Sequence, residues 1–295
     1  MASSVDAAYA HCVAIAHRHY ENFPVASFLL PRAWRPHIAA IYAFARTADD
    51  FADQPHRSPE ERLGLLDEWR VNLHRAARGE EQLDPVFVAV GDTMRRYALP
   101  LQPFDDLLSA FEQDVRVHRY ETWEAVLDYC RRSANPIGRL VLRIAGVRSP
   151  AAEGASDALC TGLQLANFWQ DFGVDWRAGR LYVPRQQIAA SGASERDLEQ
   201  AELAREWKSA IRACVARTRS FFDAGRPVAD AVSGRLRFEL RATWLGGMRI
   251  LQKIEGLDYD TLHSRPTLGA RDAAAILPAM ILWKNRTSAR RSSTT

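Results

Sequence analysis

The sequence predicts an all-α fold in a single domain, and three observations support that prediction. Long stretches place apolar residues at the 3.6-residue period of a helix. The period-two alternation typical of strands is nearly absent, and residues 180–184, RLYVP, are too short for more than an isolated extended piece. No Gly-, Pro- or Ser-rich segment divides the chain. With 295 residues, 47% of them hydrophobic, the chain can build a sizeable core.

Helix-start signals mark where several of these stretches begin. Pro36 follows Arg35 at the start of the second stretch. Ser58–Glu61 combines an N-cap with a proline at the first helical position and an acidic first turn. Asp84–Pro85 and Thr122–Glu124 open later stretches. The predicted helices are, in chain order, Ala7–Tyr20, Pro36–Asp53, Pro59–Arg78, Pro85–Tyr97, Pro103–Val117, Trp123–Ala145, Ser156–Trp176, Asp197–Ala224, Val228–Ile254 and Ala270–Lys284.

Composition restricts the function classes. The net charge of +3, with 25% charged residues, gives no overall positive field that would indicate nucleic acid. Four cysteines without a CxxC pair suit reduced, buried thiols in the cytosol. The N-terminal segment lacks the basic and apolar regions of a signal peptide. A late apolar run, AAAILPAMILW, is about half a membrane span and is broken by Pro278. We therefore expect a cytoplasmic protein, for which peripheral contact is the form of membrane association that the sequence permits.

The last residues differ from the rest in composition. Residues 286–295 are rich in Arg, Ser and Thr and are expected to form a disordered tail. The helical domain therefore spans residues 1–285. A solvated terminus is the favoured interpretation of the tail, and contact with anionic lipid is the alternative.

The segment IYAFARTADDFAD begins apolar and ends with three carboxylates, Asp49, Asp50 and Asp53. At about 100° per residue, these three fall with Tyr42 and Arg46 into one arc of roughly 100°. A solvated helix face with an Arg46–Asp50 ion pair is the ordinary interpretation. Two observations oppose it: the flanking residues are apolar on every side, and clustered aspartates repel one another unless something positive neutralises them.

A second segment, QLANFWQDFGVDW, repeats the arrangement. Gln164, Asn167, Asp171 and Asp175 stand at positions i, i+3, i+7 and i+11, within an arc of about 80°. The other faces of this segment are apolar and aromatic. If the two polar stripes face one another, they form an oxygen-lined cavity inside an apolar bundle.

The residue types indicate which ion such a cavity would hold. Neither stripe contains histidine or cysteine, which disfavours zinc, and the Glu-x-x-His pair of di-iron bundles is missing. Several aspartates suit Mg²⁺, which retains water and shares its coordination shell with a phosphate-bearing substrate. The pattern therefore predicts a diphosphate bridged by Mg²⁺ to aspartates, with a hydrocarbon chain in the apolar remainder of the cavity.

Two motifs, DDxxD and QxxNxxxDxxxD, in a helical chain of this length resemble the trans-isoprenoid head-to-head synthases: the squalene, dehydrosqualene and phytoene synthases. The resemblance extends over nearly the whole chain and includes NFPVASFLLP, YCRRSANPIG and GRLYVP. It implies an isoprenoid-synthase helical bundle around a central hydrophobic cavity. It also implies two or three Mg²⁺ ions and a prenyl diphosphate that ionises to a carbocation.

The resemblance also implies roles for individual residues. Four aspartates would hold the Mg²⁺ ions: Asp49, Asp53, Asp171 and Asp175. The side chains expected around the diphosphate are Tyr42, Arg46, Asp50, Gln164 and Asn167. The substrate would also contact Ser27, Phe28, Arg180, Tyr182 and Arg265. Tyr129 would face the reacting carbons. Aromatic side chains that could stabilise the cation, or simply fill the core, are Phe23, Phe28, Phe44, Phe168 and Trp244.

The sequence departs from the family pattern at two places. The usual RDxxED at the second motif is QDFGVD here, so that Gln170 and Val174 replace an arginine and a glutamate. The glycine-containing turn after Tyr129 becomes Asn135–Pro136. The loss of one cationic and one anionic side chain suggests a site that binds fewer phosphates than a site for two prenyl diphosphates. Asn135, placed with the catalytic residues, could orient a water; a helix kink or start at Pro136 is the equally weighted alternative.

Taken together, these features most resemble the bacterial hydroxysqualene synthase branch, linked to squalene and hopanoid biosynthesis. That resemblance implies conversion of presqualene diphosphate and water into hydroxysqualene and diphosphate. No NADPH is expected, in agreement with the lack of a GxGxxG motif. The branch also implies hand-over with a presqualene diphosphate synthase and a hydroxysqualene reductase. Condensation of two prenyl diphosphates is the alternative reaction, and a non-enzymatic prenyl-lipid-binding bundle is disfavoured because buried, unneutralised carboxylates cost stability.

Overall fold

The computed structural model describes residues 4–18 and 29–283, and over these residues the chain is a bundle of α-helices. Short 3₁₀ turns span Glu195–Glu199 and Arg226–Ala229. The helices are α1 Ser4–Arg18, α2 Arg35–Ala52, α3 Pro59–Ala77, α4 Pro85–Tyr97, α5 Gln102–Arg116, α6 Trp123–Ser133, α7 Asn135–Ile144, α8 Pro150–Gln170, α9 Phe172–Arg177, α10 Arg185–Ser191, α11 Arg205–Gly225, α12 Gly234–Gly256 and α13 Ala270–Ile281. The all-α prediction is confirmed.

Two predicted helices are each divided in two. The stretch Trp123–Ala145 breaks at Ala134, which lies between α6 and α7, and Pro136 lies in the first turn of α7. This supports the helix-start interpretation of Asn135–Pro136. The second aspartate stretch breaks at Asp171, which ends α8 and precedes α9. Continuous helices were wrong at both places because the apolar pattern persists across each break.

Other helix boundaries differ from the predicted ones. Helix α8 begins at Pro150, since the Ser149 hydroxyl accepts a hydrogen bond from the Ala152 amide and caps the helix. Helix α10 was not predicted. Helices α11 and α12 begin later than expected, because 3₁₀ turns precede them. The RLYVP prediction is confirmed: its one β-type contact within the described residues is an isolated bridge between Arg119 and Leu181.

The helices that carry the two motifs belong to different halves of the bundle. Helix α2 packs on α1, α3, α4 and α5, with Phe44 fully buried against Trp69, Phe87 and Phe104. Helix α8 packs on α6, α7, α11 and α12 around the fully buried Trp169. Helix α5 contacts α2 as well as α6 and α7, and so joins the halves. Helix α5 therefore lies between the two halves that carry the motifs.

None of the helices in residues 4–18 and 29–283 combines the length and apolar character that crossing a membrane requires.

Candidate active site

The first aspartate stripe lies along the last turns of α2, as predicted. The Arg46 guanidinium donates hydrogen bonds to Asp49 Oδ2 at 3.2 Å and to Asp50 Oδ1 at 2.5 Å. The ion pair anticipated for a solvated face is therefore present. Arg46 is nevertheless only partly exposed, and the other faces of the same helix are largely buried in the core. Tyr42 lies one turn earlier and is half-buried; burial raises the pKa of its hydroxyl.

The second stripe follows the end of α8 into α9. The Asn167 amide donates to Asp171 Oδ2 at 2.9 Å, and Gln164 lies half-buried one turn before it. Arg265, from the segment between α12 and α13, contacts Asp171 through its Nε and donates from Nη2 to Oδ2 at 3.3 Å. The late arginine is thus placed at the second motif.

Arg180 connects the two stripes. Its Nη1 donates to Asp53 Oδ1 at 2.9 Å, and its Nε lies 3.8 Å from Asp175 Oδ1. The chain after α9 holds it there: Gly179, with a φ of +81°, reverses the chain, and the carbonyl of Gly179 accepts a 2.6 Å hydrogen bond from Arg119. A side chain separated by more than a hundred residues from the first motif therefore brings that motif against the second.

Asp114, at the end of α5, is part of the site and was not predicted. Its Oδ2 accepts a 2.7 Å hydrogen bond from the Tyr129 hydroxyl, while its Oδ1 is buried without a hydrogen-bond partner in the described part of the chain. Burial raises the pKa of Asp114 to about 7, and the nearby Asp49 and Asp53 add to the shift. In the sequence this residue lies mostly among polar neighbours, in EQDVR, and this pattern predicts an ordinary surface aspartate.

The site carries more negative than positive charge. Burial, together with the neighbouring Asp53, raises the pKa of Asp49 to about 6. Burial also raises the pKa of Asp175 to about 7, opposed by Arg180. Six carboxylates gather here and three guanidinium groups reach them. The carboxylates are Asp49, Asp50, Asp53, Asp114, Asp171 and Asp175, and the guanidinium groups belong to Arg46, Arg180 and Arg265.

The carboxylates of the site can be compared with the ligands that Mg²⁺ prefers. Within the described ranges, no three carboxylate, histidine or cysteine side chains are already close enough to enclose an ion. The donor set consists of hard oxygen atoms, one buried carboxylate oxygen lacks a partner among the described residues, and burial of several carboxylates together raises the pKa values of Asp49 and Asp175. Mg²⁺ needs few protein ligands, because water and phosphate complete its shell. The residues therefore fit a Mg²⁺–diphosphate ligand.

An aromatic cluster lies beside the carboxylates. Phe168 and Tyr182 stack in parallel with ring centroids 3.8 Å apart and an interplanar angle of 8°. Tyr129 lies 6.0 Å from Phe168, and Tyr120 lies 5.8 Å from Tyr182. Of the aromatic candidates, Phe168 is at this cluster. Phe44 belongs to the core of the other half, and Trp244 packs against Phe222 and Trp283.

The remaining predicted residues have mixed outcomes. Asn135 is buried, and its Oδ1 accepts a 3.0 Å hydrogen bond from the Thr161 hydroxyl, so one of its polar groups is committed to packing. Its role in orienting water stays a prediction. Ser27 and Phe28 lie outside the described residues, as do Phe23 and the tail 286–295, and the central hydrophobic cavity stays a prediction as well.

Two residues of the second motif, Gln170 and Gly173, hold the segment that carries Arg265. Gln170, in place of the usual arginine, donates a 2.7 Å hydrogen bond to the Pro266 carbonyl. The Gly173 amide donates to the Thr261 carbonyl at 3.2 Å, and a Cβ at position 173 would lie only 2.0 Å from the Leu262 carbonyl oxygen. Glycine is required there because the two backbones touch. Val174 is exposed.

The Gly173→Ala substitution is expected to displace the Arg265 segment and to raise KM for a prenyl diphosphate about tenfold or more. The reason is that a methyl group cannot occupy the space next to Leu262 without moving one backbone. Steady-state kinetics would measure the effect. Gly154→Ala, on α8, is the matched control, because no atom lies within 4 Å of a Cβ at that position. Equal KM values for the two variants would contradict the assignment.

The Asp175→Asn substitution is expected to stabilise the ligand-free protein at pH 8 by about 1–3 kcal/mol, because an ionised Asp175 is disfavoured in the fold. A carboxyl with a raised folded-state pKa favours the fold at low pH and loses that contribution as the pH rises through about 7. The gain should therefore shrink as the pH approaches 4. Urea unfolding at both pH values, with EDTA present, measures it; a loss of stability at pH 8 would contradict it.

An all-α bundle in which two aspartate-bearing helices meet beside an aromatic cluster defines the class of isoprenoid synthases. The chain belongs to the squalene/phytoene synthase family, because the sequence model of that family matches residues 16–272. The family prediction from the two motifs is thereby confirmed.

The sequence is similar to several synthases of this family, and its identity to them differs. The chain is 39% identical over 222 residues to the hydroxysqualene synthase of Sinorhizobium fredii, covering 75% of this chain and 74% of that protein. It is 30% identical over 292 residues to the 15-cis-phytoene synthase of Synechococcus elongatus, covering 95% and 94%. Among solved structures, squalene synthase HpnC from Alicyclobacillus acidocaldarius is 38% identical with a TM-score of 0.82, covering 88% of this chain and 97% of that one. Identity is thus higher to the hydroxysqualene synthase than to the phytoene synthase.

Proposed function

We propose that this protein catalyses the Mg²⁺-dependent conversion of presqualene diphosphate and water into hydroxysqualene and diphosphate. The observation that carries the proposal is the meeting of the two aspartate motifs at Arg180, beside the Phe168–Tyr182–Tyr129 cluster. One side of the site suits a diphosphate and the other suits a hydrocarbon cation. The higher identity to a hydroxysqualene synthase favours this reaction over condensation.

The polar side of the site would bind and orient the diphosphate. Asp49, Asp53, Asp171 and Asp175 would hold Mg²⁺, which supplies Lewis-acid neutralisation of the leaving diphosphate when bound. Arg46, Arg180 and Arg265 can donate paired hydrogen bonds to phosphate oxygens. To do so, these guanidinium groups exchange their present carboxylate partners for phosphate. Charge inside the site is then balanced more evenly than in the ligand-free protein.

The aromatic side would protect the carbocation that remains after the C–O bond to diphosphate breaks. The rings of Phe168, Tyr182 and Tyr129 are buried, so they would exclude bulk water, and the faces not covered by the Phe168–Tyr182 stack would stabilise a cation. Each such face is worth about 0.5–2 kcal/mol. Rearrangement of the cation inside this wall precedes its capture by water.

Capture by water forms a C–O bond and releases one proton. Asp114 is placed to accept it: the carboxyl is buried beside Tyr129, has one unpartnered oxygen and has a pKa of about 7. A base with a pKa near the working pH is efficient in proton transfer. The proposed products are the alcohol hydroxysqualene and free diphosphate, so no redox cofactor enters the balance.

Product analysis tests the proposal. Purified protein with Mg²⁺ is incubated in parallel with presqualene diphosphate and with farnesyl diphosphate, and the extracts are analysed by mass spectrometry. We expect hydroxysqualene from presqualene diphosphate, with one oxygen from ¹⁸O-labelled water, and no product from farnesyl diphosphate alone. Consumption of farnesyl or geranylgeranyl diphosphate without turnover of presqualene diphosphate would instead establish the condensation alternative.

The proposal also gives the protein a place between two other enzymes. A presqualene diphosphate synthase would supply the substrate, and a reductase acting on hydroxysqualene would consume the product in squalene and hopanoid biosynthesis. The proposed reaction consumes no hydride, so NADPH would act in the later step.

A further inference from the structure

Three polar side chains lie where α6, α7 and α8 pack together, in a mostly apolar part of the interior. Asn135 and Thr161 are 6% and 5% exposed, and the Thr161 hydroxyl donates a 3.0 Å hydrogen bond to Asn135 Oδ1. Ser133, the last residue of α6, is half-buried, and its Oγ is shielded from solvent. We call Ser133, Asn135 and Thr161 the polar trio. Burying polar groups costs free energy unless hydrogen bonds satisfy them.

The protein does not fill the hydrogen-bonding capacity of the polar trio. Among the described residues, Ser133 Oγ has no partner, and the Asn135 amide nitrogen, which carries two N–H groups, donates to no acceptor. Thr161 uses its hydroxyl proton on Asn135, so the lone pairs of the Thr161 oxygen can still accept. Ser133 and Asn135 flank Ala134, which keeps their Cα atoms within about 7 Å of each other. A water molecule, which both donates and accepts hydrogen bonds, satisfies such a set of groups.

The polar trio lies next to the aromatic cluster of the site. Ser133 follows Tyr129 by one turn of α6, about 6 Å along the helix axis and on the same face. Thr161 precedes Phe168 by two turns of α8, about 10 Å along the axis and again on the same face. The rings of Tyr129 and Phe168 are 6.0 Å apart, so the faces that carry the polar trio continue from the faces that carry these rings. Along α8, Thr161 is farther from Asp171 than Phe168 is, which places the polar trio beyond the aromatic cluster as seen from the carboxylates.

Helix packing alone accounts for only part of the polar trio. The hydrogen bond from Thr161 to Asn135 joins α8 to α7, and the close approach of Gly138 to Ser156 joins the same two helices one turn later. Neither contact uses the hydroxyl of Ser133 or the amide nitrogen of Asn135. An apolar residue at position 133 would avoid an unsatisfied buried hydroxyl, which costs stability. The unused groups therefore indicate a bound polar molecule of the size of water.

We propose that the polar trio binds the water molecule that captures the rearranged carbocation. This inference rests on the proposed function and assigns the residues that direct the water. Serine, threonine and asparagine side chains have no basic group, so the polar trio orients the water and takes no proton. A lone pair of the water oxygen forms the C–O bond to the cation. The proton that the water then loses goes to Asp114, whose partner Tyr129 is one turn from Ser133.

Binding a single water beside the cation decides between two products. Capture by the water gives an alcohol. A cation that meets no water loses a proton from a neighbouring carbon to the same base and becomes a hydrocarbon with one more C=C bond. Ionisation precedes both outcomes and depends on the diphosphate side of the site, so the polar trio should control the ratio of products and not the rate of diphosphate release.

Product ratios with presqualene diphosphate and Mg²⁺ test the assignment. Ser133→Ala and Thr161→Val each remove one hydroxyl with little change in shape. Each should lower the ratio of hydroxysqualene to hydrocarbon about three- to tenfold, the loss expected for one hydrogen bond to the water, while diphosphate release stays close to that of the wild type. Thr161→Ser keeps the hydroxyl and should keep the wild-type ratio. Ser156→Ala is the matched control, because it removes a buried hydroxyl of α8 at a position farther from Phe168.

A high-resolution crystal structure of the ligand-free protein gives a second measurement that does not depend on turnover. We expect an ordered water within hydrogen-bond distance of Ser133 Oγ and of Asn135 or Thr161, and its loss in Ser133→Ala. That variant should fold as stably as the wild type, because the hydroxyl has no partner in the described part of the chain. A wild type without this water overturns the inference. Wild-type product ratios in both Ser133→Ala and Thr161→Val also overturn it and leave the proposed function intact, whereas a wild type that makes no hydroxysqualene refutes the proposed function and the capture step together.

Discussion

The Asp49→Asn and Asp171→Asn substitutions are each expected to lower kcat/KM for presqualene diphosphate by at least about 10³-fold. These residues lie on different halves of the bundle, and each would supply a hard oxygen ligand to Mg²⁺. Lewis-acid stabilisation of a leaving group is worth several kcal/mol, and about 4 kcal/mol corresponds to three orders of magnitude. Loss of one ligand on either side should therefore stop ionisation.

The fold should survive both substitutions. Burial and the neighbouring Asp53 and Asp50 disfavour an ionised Asp49, so a neutral amide removes repulsion, and its side-chain oxygen can still accept the hydrogen bond from Arg46. We expect melting temperatures equal to or above that of the wild type in EDTA. Mg²⁺ titration supplies a separate measurement: activity of the wild type should disappear in EDTA and return with Mg²⁺, whereas neither variant should recover fully.

Asp223→Asn, at an exposed position on α11, is the control and should leave both turnover and melting unchanged. Two results would contradict the interpretation. Turnover above a tenth of the wild-type value in either variant would show that the carboxylate is not needed for ionisation. Unfolding of both variants would assign these aspartates a structural role instead.

The sequence predicted α2 almost to the residue, because Pro36 marks its start and its apolar pattern is regular. The observed helix is Arg35–Ala52, against the predicted Pro36–Asp53. The pairing of Arg46 with Asp50 was also foreseeable, since i and i+4 side chains are neighbours on a helix. The spacing of residues along the chain was sufficient to predict both the bounds of α2 and the Arg46–Asp50 ion pair.

What escaped prediction depends on contacts between distant segments. Asp114 looks like a surface residue until the fold brings Tyr129 against it. Gly173 looks like an ordinary helix interruption until the Leu262 carbonyl is seen beside its Cα. Gln170 was interpreted as the loss of a phosphate-binding cation, and the structure also shows it holding the Pro266 carbonyl. In each case the partner lies on another element, and the spacing along the chain carries no sign of it.

The division of α8 from α9 changes how the second motif works. A continuous helix would keep all four polar side chains on one straight stripe, as their spacing predicted. The break at Asp171 instead places Asp175 on a short helix whose following turn carries Arg180. Because that arginine reaches Asp53, the two motifs are already joined in the ligand-free protein. In the proposed function, a diphosphate carrying its own cations would replace this ion pair when it binds.

The Asp114→Asn substitution is expected to lower kcat by about 10²–10⁴-fold, the contribution typical of a positioned general base. Asparagine keeps the shape of the side chain and can still accept a hydrogen bond from Tyr129, but it cannot take up a proton. For the wild type, Asp114 must be ionised, so activity should fall as the pH drops below its pKa of about 7. The residual activity of the variant should lack this dependence on Asp114.

Asp49 and Asp175 also have raised pKa values in the ligand-free protein, so the acid limb alone does not identify the base. Tyr129→Phe resolves this, because the Tyr129 hydroxyl donates to Asp114 and thereby lowers the pKa of that carboxyl. Removing the hydroxyl should shift the acid limb to higher pH. Tyr120→Phe is the matched control: its hydroxyl belongs to the same aromatic cluster but accepts a hydrogen bond from Gln113. An acid limb that moves equally in both tyrosine variants, or in neither, would exclude Asp114 as the proton acceptor.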